Sequence, residues 1–374
     1  MSQTPLHKVL ERQMSRKQFL MLIGVVFAAA TGILGVKRQF FSNAATSTAA
    51  FEGEAGTEVS PATEVTDATA SGGKAMKFAA ATPPASKLLL GQYSGNASES
   101  PDQAFIAAFG GAPEITTTYI TTQAVNETYE KARVARGTTA VLDLDSKNTP
   151  GLIAAVADGT TAGMSYIDTF LLAAERVAVT APTGVSVMAG YVHEWEVKRA
   201  QNVLTNTRDR DHAVYAKAHD RFISRARAIA PHVKCGYWYG HYHTADLATV
   251  MAAMNEAPAW IGIDPYTTDN NPFQTAVQCW KPKTDWIKAN ASYKSFGNPP
   301  LYLTEWGVDT FHGDTNCATY MTNLRANARS VGLTGIVHFN RDRTDNDGQV
   351  VAYKITNGST PKTQAAFKAS FQAS

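Results

Sequence analysis

The stretch VSVMAGYVHEW (residues 185–195) is an apolar, β-branched run that ends abruptly in a histidine, a glutamate and a tryptophan. Short apolar runs of this kind read as buried strands. Seven more recur along the chain: LLLG (88–91), EITTTYI (114–120), TAVLDLD (139–145), VKCGYWYG (233–240), WIGIDPY (260–266), LYLTEWG (301–307) and GIVHFN (335–340). Between them lie helical patterns. HAVYAKAHDRFISRARAIA (212–230) keeps Val214, Ala218, Phe222 and Ile229 near one face, and ATYMTNLRANARSVG (318–332) reads as another helix; Pro231 and Gly332 mark their ends. Eight strand–helix alternations are the pattern of an α/β fold closed as a (β/α)8 TIM barrel, although alternation alone also allows a doubly wound sheet. The 287 positions of residues 88–374 are close to the roughly 250 of such barrels. No GxGxxG turn follows the first strand, which removes the usual dinucleotide reading.

Outward from the barrel the chain changes character. Between Lys17 and Lys37 there is no charge, and FLMLIGVVFAAATGILGV (19–36) is apolar enough to serve as a transmembrane anchor or a signal h-region. Lys8, Arg12, Arg16 and Lys17 make the segment before it (1–18) basic, so this end is expected to stay cytoplasmic and the bulk of the chain to lie at the cell surface or outside the cell. Residues 37–86, rich in Ala, Thr, Ser, Gly, Glu and Pro, read as a disordered, low-complexity linker, and 87–374 as the barrel. With 34 Lys+Arg against 32 Asp+Glu the charge is nearly balanced, which excludes the concentrated basic face of a nucleic-acid binder. Three cysteines make no disulfide framework; a Cys279–Cys317 bridge between outer helices is geometrically possible, and Cys235 reads as a core residue.

Polar residues gather where strands end, the rim at which barrels of this kind place their sites. Asp143 and Asp145 end the third strand, Glu194 and Glu196 the fourth, Asp264 and Tyr266 the sixth, Glu305 and Trp306 the seventh, while His241 and His243 follow the fifth. By two-residue parity Glu305 points with Leu301 and Leu303, and Glu194 with Met188, Gly190 and Val192, so both carboxylates are expected at the mouth. The 111 residues between them span three βα units, which sets them across the mouth from each other. Two facing carboxylates suit glycosidic-bond cleavage, one protonating the departing oxygen and the other attacking the anomeric carbon or activating water; this chemistry calls for no cofactor and no metal.

Glutamates ending strands four and seven, with the His193-Glu194 pair, resemble the retaining glycoside hydrolases of clan A, most closely family 26, the β-mannanases and related β-glucanases. The likeness spans the barrel from LGQYSG to GIVHFN. It implies a retaining endo-β-glycosidase acting on a mannan- or glucan-type polysaccharide, with Glu194 as acid/base, Glu305 as nucleophile, His193 beside the acid/base and Tyr266 donating a hydrogen bond to the nucleophile. Trp195 is expected to wall Glu194 and hold it protonated, while Tyr266 keeps Glu305 ionised. Trp306, Trp238 and Tyr93 offer flat faces for sugar rings, and His241, Asp264 and Asn340 are expected to meet the substrate at the rim. The chain departs from the family in VKRAQNVL after Glu194, and in Phe339 and Asn340 where many clan members carry a tryptophan.

Glu196 reads as a bystander past the strand, paired with Lys198 or Arg199. HYH (241–243) lacks a third metal ligand at diagnostic spacing, and DRTDNDG (342–348) lacks the glycine and glutamate of a calcium loop. The polysaccharide is the expected partner, the membrane is engaged through the N-terminal segment, and the barrel is expected to act as a monomer. The competing reading is an inactive barrel that only binds glycan.

Overall fold

The computed structural model describes residues 62–66, 74–78, 87–93, 102–146, 149–268, 271–344 and 350–373. The chain divides into two units, residues 1–85 and 86–374. The expected anchor or signal segment lies outside the described residues, among which no helix is long and apolar enough to cross a membrane. In the first unit Ala62–Thr66 and Lys74–Phe78 pair antiparallel, Ala62 opposite Phe78. This departs from the reading of 37–86 as structureless. The sequence ATEVT carries β-branched Thr63, Val65 and Thr66, a strand signal that the overall composition of the segment concealed.

In the second unit all eight expected strands form: β1 (Leu89–Tyr93), β2 (Ile115–Ile120), β3 (Thr139–Leu144), β4 (Val187–Tyr191), β5 in two pieces (Val233–Cys235 and Tyr237–Tyr239), β6 (Ile261–Ile263), β7 (Leu301–Val308) and β8 (Leu333–Phe339). One parallel arc runs β2-β3-β4-β5 and the other runs β5-β6-β7-β8-β1. The break at Gly236 joins the arcs, because Gly236 N–H donates to Ala189 O on β4 at 2.9 Å while Tyr237 N–H donates to Trp260 O at 3.0 Å. The remaining seam, β1 to β2, is held by Glu114 N–H to Leu90 O at 3.1 Å and by the Thr116 hydroxyl to Gln92 O at 2.8 Å. A parallel α/β sheet closed on itself in this way is consistent with a TIM barrel.

Strand alternation divides the core into two layers. Ile115, Val141, Met188, Trp238, Trp260 and Val337 fill the barrel interior, with Leu89, Tyr93, Tyr119 and Tyr302 packed against them. The opposite parity, including Leu142, Ala189, Leu301 and Leu303, belongs to the larger cluster shared with helix residues such as Phe222 and Trp280. The helix His212–Ile229 forms as expected, capped by the Asp211 carboxylate accepting from Val214 N–H, and buries Ala218 and Phe222. The expected helix over 318–332 is instead two, Asp314–Met321 and Leu324–Ser330. Asn323 adopts φ +56° between them, a conformation asparagine tolerates better than most residues. All three cysteines are buried free thiols, so Cys279 and Cys317 are not bridged; Cys317 donates to Asp309 O at 3.3 Å.

The β1–β2 seam is tight at one point. A Cβ on Gly91 would lie 1.6 Å from Ile115 O, so only a glycine lets the two backbones approach this closely. Gly91→Ala is therefore expected to lower stability by about 3 kcal/mol or more, read as a lower urea midpoint at unchanged slope.

Candidate active site

The seventh strand does not keep strict alternation. Leu303 pairs with Ile336 on β8, but three residues later Trp306 pairs with His338, so β7 carries one extra residue at Thr304–Glu305. This bulge turns two consecutive side chains inward. Unbroken alternation would send Glu305 outward with Leu301 and Leu303, which face the helices; the parity argument reached the right position through the wrong layer. The bulge is held by side chains. The Asp264 carboxylate accepts the Thr304 hydroxyl at 2.9 Å and the Glu305 N–H at 2.8 Å through Oδ1, and the Trp238 indole N–H through Oδ2, while the Thr117 hydroxyl donates to Thr304 O at 3.1 Å. Space for it comes from Gly262, where a Cβ would sit 2.4 Å from Thr304 Oγ1.

Glu305, 7% exposed, accepts the Tyr119 hydroxyl on one oxygen and the Tyr266 hydroxyl on the other. The Tyr266 contact agrees with its expected place. Tyr119 was missed, although Ile115, Thr117 and Tyr119 share the inward parity of β2. Burial and the Glu194 charge raise the Glu305 carboxyl above its ordinary range despite His193 and the two phenols. The expected ionising effect of Tyr266 is thus present but outweighed. Burial and the charges of Glu305 and Glu194 likewise push the Asp264 carboxyl well up against its indole and hydroxyl donors.

The fourth strand ends earlier than its sequence suggested, at Tyr191. Parity does not carry to Glu194; two left-handed residues do, Val192 at φ +53° and Glu194 at φ +51°. Such a conformation is strained for a β-branched residue, and strain of this kind clusters at functional sites. Three consecutive N–H groups anchor the turn: Val192 to Leu144 O at 2.9 Å, His193 to Asp143 Oδ1 at 3.1 Å, and Glu194 to Trp238 O at 3.2 Å. Glu194, half-buried, caps the helix Trp195–Ala200.

His193 is buried and its Nδ1 meets Asp143 Oδ2 at 2.5 Å, with the ring 4.9 Å from Tyr119 and 5.1 Å from Trp238. Burial opposes charging the ring, but Asp143 outweighs both that and Lys198, so His193 titrates above its usual range. Lys198 donates to His193 O and sits 3.5 Å from Asp145. Asp143, Asp145 and His193 bring ligand atoms within 4.8 Å of one another, yet the Lys198 ammonium already supplies the positive charge a cation would bring.

Other expected contacts fall elsewhere. Trp306 is wholly buried on the helix side of β7, stacked on Tyr320 at 5.7 Å and beside Trp280 and His338, so it is no sugar platform. Trp238 lies inside the barrel and serves Asp264. Asp264 itself supports the bulge from behind and does not stand at the rim. Trp195 stacks on Tyr215 at 4.7 Å and donates to Asp209 O, in place of walling Glu194. His241 is 8% exposed, with burial and Lys283 holding its ring down to about 4, and it reaches the site through its backbone N–H. Asn340 spends both ends of its amide on Ile355 N–H and the Thr356 hydroxyl, which pins the chain after β8. Tyr93, expected to offer a flat face, is half-buried at the end of β1, with one face stacked on Phe339 at 5.2 Å and the ring set edge-on to Tyr119.

No protein-family profile matches this sequence, and no curated protein matches it. Solved structures do. GH26C from Muricauda sp. MAR_2010_75 superposes with a TM-score of 0.52 at 11% identity, covering 76% of this chain and 85% of that one. The catalytic domain of the family 26 endo-β-1,4-mannanase of Bacillus sp. JAMB-750 gives 0.51 at 12% identity over the same shares. A family 39 glycoside hydrolase from Bacteroides cellulosilyticus WH2 gives 0.50 at 12% identity, covering 76% of this chain and 64% of that one. The likeness establishes the fold.

Asp143→Asn should lower the His193 pKa, read by NMR titration of the ring. Because Asp143 raises the folded-state value above the unfolded one of about 6.5, the stabilisation it provides is complete below that pH and is lost as pH rises through the folded-state value. Denaturation midpoints of wild type and variant should accordingly differ most in acid.

Proposed function

We propose that this chain is a retaining endo-β-glycosidase that hydrolyses a β-linked polysaccharide of mannan or glucan type, with Glu305 as nucleophile and Glu194 as acid/base. The observation that carries this reading is Glu305 in the bulge of β7, fixed by the Tyr119 and Tyr266 hydroxyls and within the electrostatic reach of Glu194 in the turn just past β4. In the first displacement a Glu305 oxygen bonds to the anomeric carbon as that carbon's bond to the leaving oxygen breaks, and Glu194 gives its proton to that oxygen. In the second, Glu194 takes a proton from water, whose oxygen displaces Glu305 and regenerates both carboxyls.

The residues around the pair suit this cycle. Tyr119 and Tyr266 stabilise Glu305 as a carboxylate before attack and after release, and donate to it from fixed positions. The protonated His193, held by Asp143, adds positive charge on the same side. Tyr93, stacked on Phe339, presents an aromatic edge at the rim for a sugar ring. The endo-β-1,4-mannanase of similar fold favours a mannan among the candidates. The apolar segment at 19–36 favours action at the cell surface or outside the cell, with the N-terminal segment holding or releasing the barrel, which acts as a monomer.

The test digests β-mannan, mixed-linkage glucan and xylan with wild type, Glu194→Gln and Glu305→Gln. Wild type should release reducing ends from at least one. Glu194→Gln should lose about 10²–10⁴-fold in rate, and Glu305→Gln should fall to background. NMR of the first product should show the anomeric configuration retained. Binding without cleavage would make this a glycan-binding barrel, and an inverted first product would overturn the role of Glu305.

A further inference from the structure

We propose that the mouth carries a subsite for an anionic sugar, built by Arg341 and Arg343 just past β8, so that the preferred substrate is an acidic form of the β-linked chain, bearing a hexuronate carboxylate or a sulfate. This rests on the reading of the mouth as a glycosidase site and names the substrate class of that site.

The chain leaves β8 at Phe339 and continues as a short antiparallel hairpin, in which Arg343 pairs with Val351 and Thr344 with Val350. Both arms are tied down. Asn340 N–H donates to Tyr93 O at 2.9 Å, and its side-chain carbonyl accepts the Ile355 N–H at 2.7 Å. The Asp342 carboxylate accepts the Lys354 N–H at 2.9 Å, and Thr310 N–H, past β7, donates to Ala352 O at 2.9 Å. The two arginines therefore stand on a segment braced against β1 and β7.

A cavity borders this segment, lined by Phe339, Arg341, Asp342, Arg343, Thr344 and Val350. Its lining sets two guanidiniums against one carboxylate, and that carboxylate already accepts the Lys354 N–H. Among the described residues no carboxylate pairs with Arg341, whose partner is the Tyr93 hydroxyl. The cavity adjoins the reacting centre. Phe339 stacks on Tyr93 at 5.2 Å and meets Tyr266 edge-on at 6.2 Å, while the Arg343 guanidinium lies over the Tyr266 ring, 5.9 Å from its centroid. Each arginine is thus one tyrosine away from Glu305. Tyr266 donates its hydroxyl to that carboxylate, and the Tyr93 phenol, lifted by burial and pulled back by Arg341, also feels the Glu305 charge.

The hydroxyls of a neutral sugar need no cation, because amides and phenols bind them equally well. An acidic sugar does need one here. Glu305, as the attacking carboxylate, repels a uronate bound beside it. A guanidinium stays charged at every working pH, offsets that repulsion, and meets two oxygens of a carboxylate or sulfate with its planar fork of N–H donors.

The experiment measures kcat/KM of the full chain on a β-glucan and a β-mannan, on the polyuronate counterpart of each, and on a sulfated β-glucan. Wild type should cleave an anionic polymer at least about tenfold faster than the neutral polymer of the same backbone, and high salt should shrink the difference. Arg341→Gln combined with Arg343→Gln should abolish the preference, and Arg341→Lys combined with Arg343→Lys should restore part of it. Polyuronate ahead of sulfated glucan assigns the anion as a carboxylate; the reverse order assigns it as a sulfate. A wild-type preference for neutral polymers, or an acidic preference that survives in the double glutamine variant, refutes the subsite. Calorimetry supplies a readout that needs no cleavage: short oligouronates should bind Glu305→Gln about tenfold more tightly than the same protein lacking both arginines. If that loss is seen but wild type cleaves no polymer, the anion subsite stands and the glycosidase reading falls. If neutral polymers are cleaved and oligouronates do not bind, the glycosidase reading stands and the anion subsite falls.

Discussion

Asp264 accepts three donors from two strands: the Trp238 indole from β5, and the Thr304 hydroxyl and Glu305 N–H from β7. A carboxyl buried at the end of β6 costs several kcal/mol in desolvation unless its partners are well placed. Here one of the partners, the Glu305 N–H, is a group that the β7 bulge leaves without a ladder bond. The cost of burying Asp264 and the cost of breaking the β7 ladder thus offset one another. The consequence is positional: without the extra residue Glu305 would lie in the layer occupied by Leu301 and Leu303, and Tyr119 and Tyr266 would have nothing to donate to.

The opposite wall of the mouth is built on a different principle. Where β7 spends side chains on a bulge, β4 stops and lets two left-handed residues reverse the chain into a short helix. Asp143 holds both the backbone and the ring of His193, and Lys198 reaches back to the His193 carbonyl, so the turn is clamped by charges of both signs. Asp145 pairs with Lys198 and Asp143 with His193, so the charges of this wall are matched within it beside Glu194. A buried ionic chain of this kind is poor value as a stabiliser and makes sense as an orienting device.

Much of this was readable from residues. The eight strands stand where apolar runs of four to eleven residues predicted them, since burial on both faces leaves a signature that loops cannot imitate. The fold brings the two glutamates, His193, Tyr266 and Tyr93 together, and they stood out because polar residues at strand ends break an otherwise apolar rhythm. What failed was everything that depended on that rhythm continuing. The bulge at Thr304–Glu305 and the early stop at Tyr191 are decided by Asp264, Thr117 and Asp143, contacts between strands far apart in sequence. The same limit misplaced Trp306 and Asn340, whose neighbours in sequence suggested a rim that their partners in space do not share. Glu196 was set aside because charge beside Lys198 and Arg199 looks like surface; it is 1% exposed, and its Oε1 accepts the His241 N–H from the chain just past β5.

Gly262 and Thr304 occupy one volume between them, the hydroxyl of the second filling the space where the side chain of the first would be. Neither site is free to drift alone. A larger residue at 262 evicts the Thr304 side chain, and a larger one at 304 has no void to enter, so the neutral paths open to this part of the barrel are paired exchanges that keep the summed volume. Along such a path the surface and helices can diverge while the shape of β6 and β7 around Glu305 stays fixed.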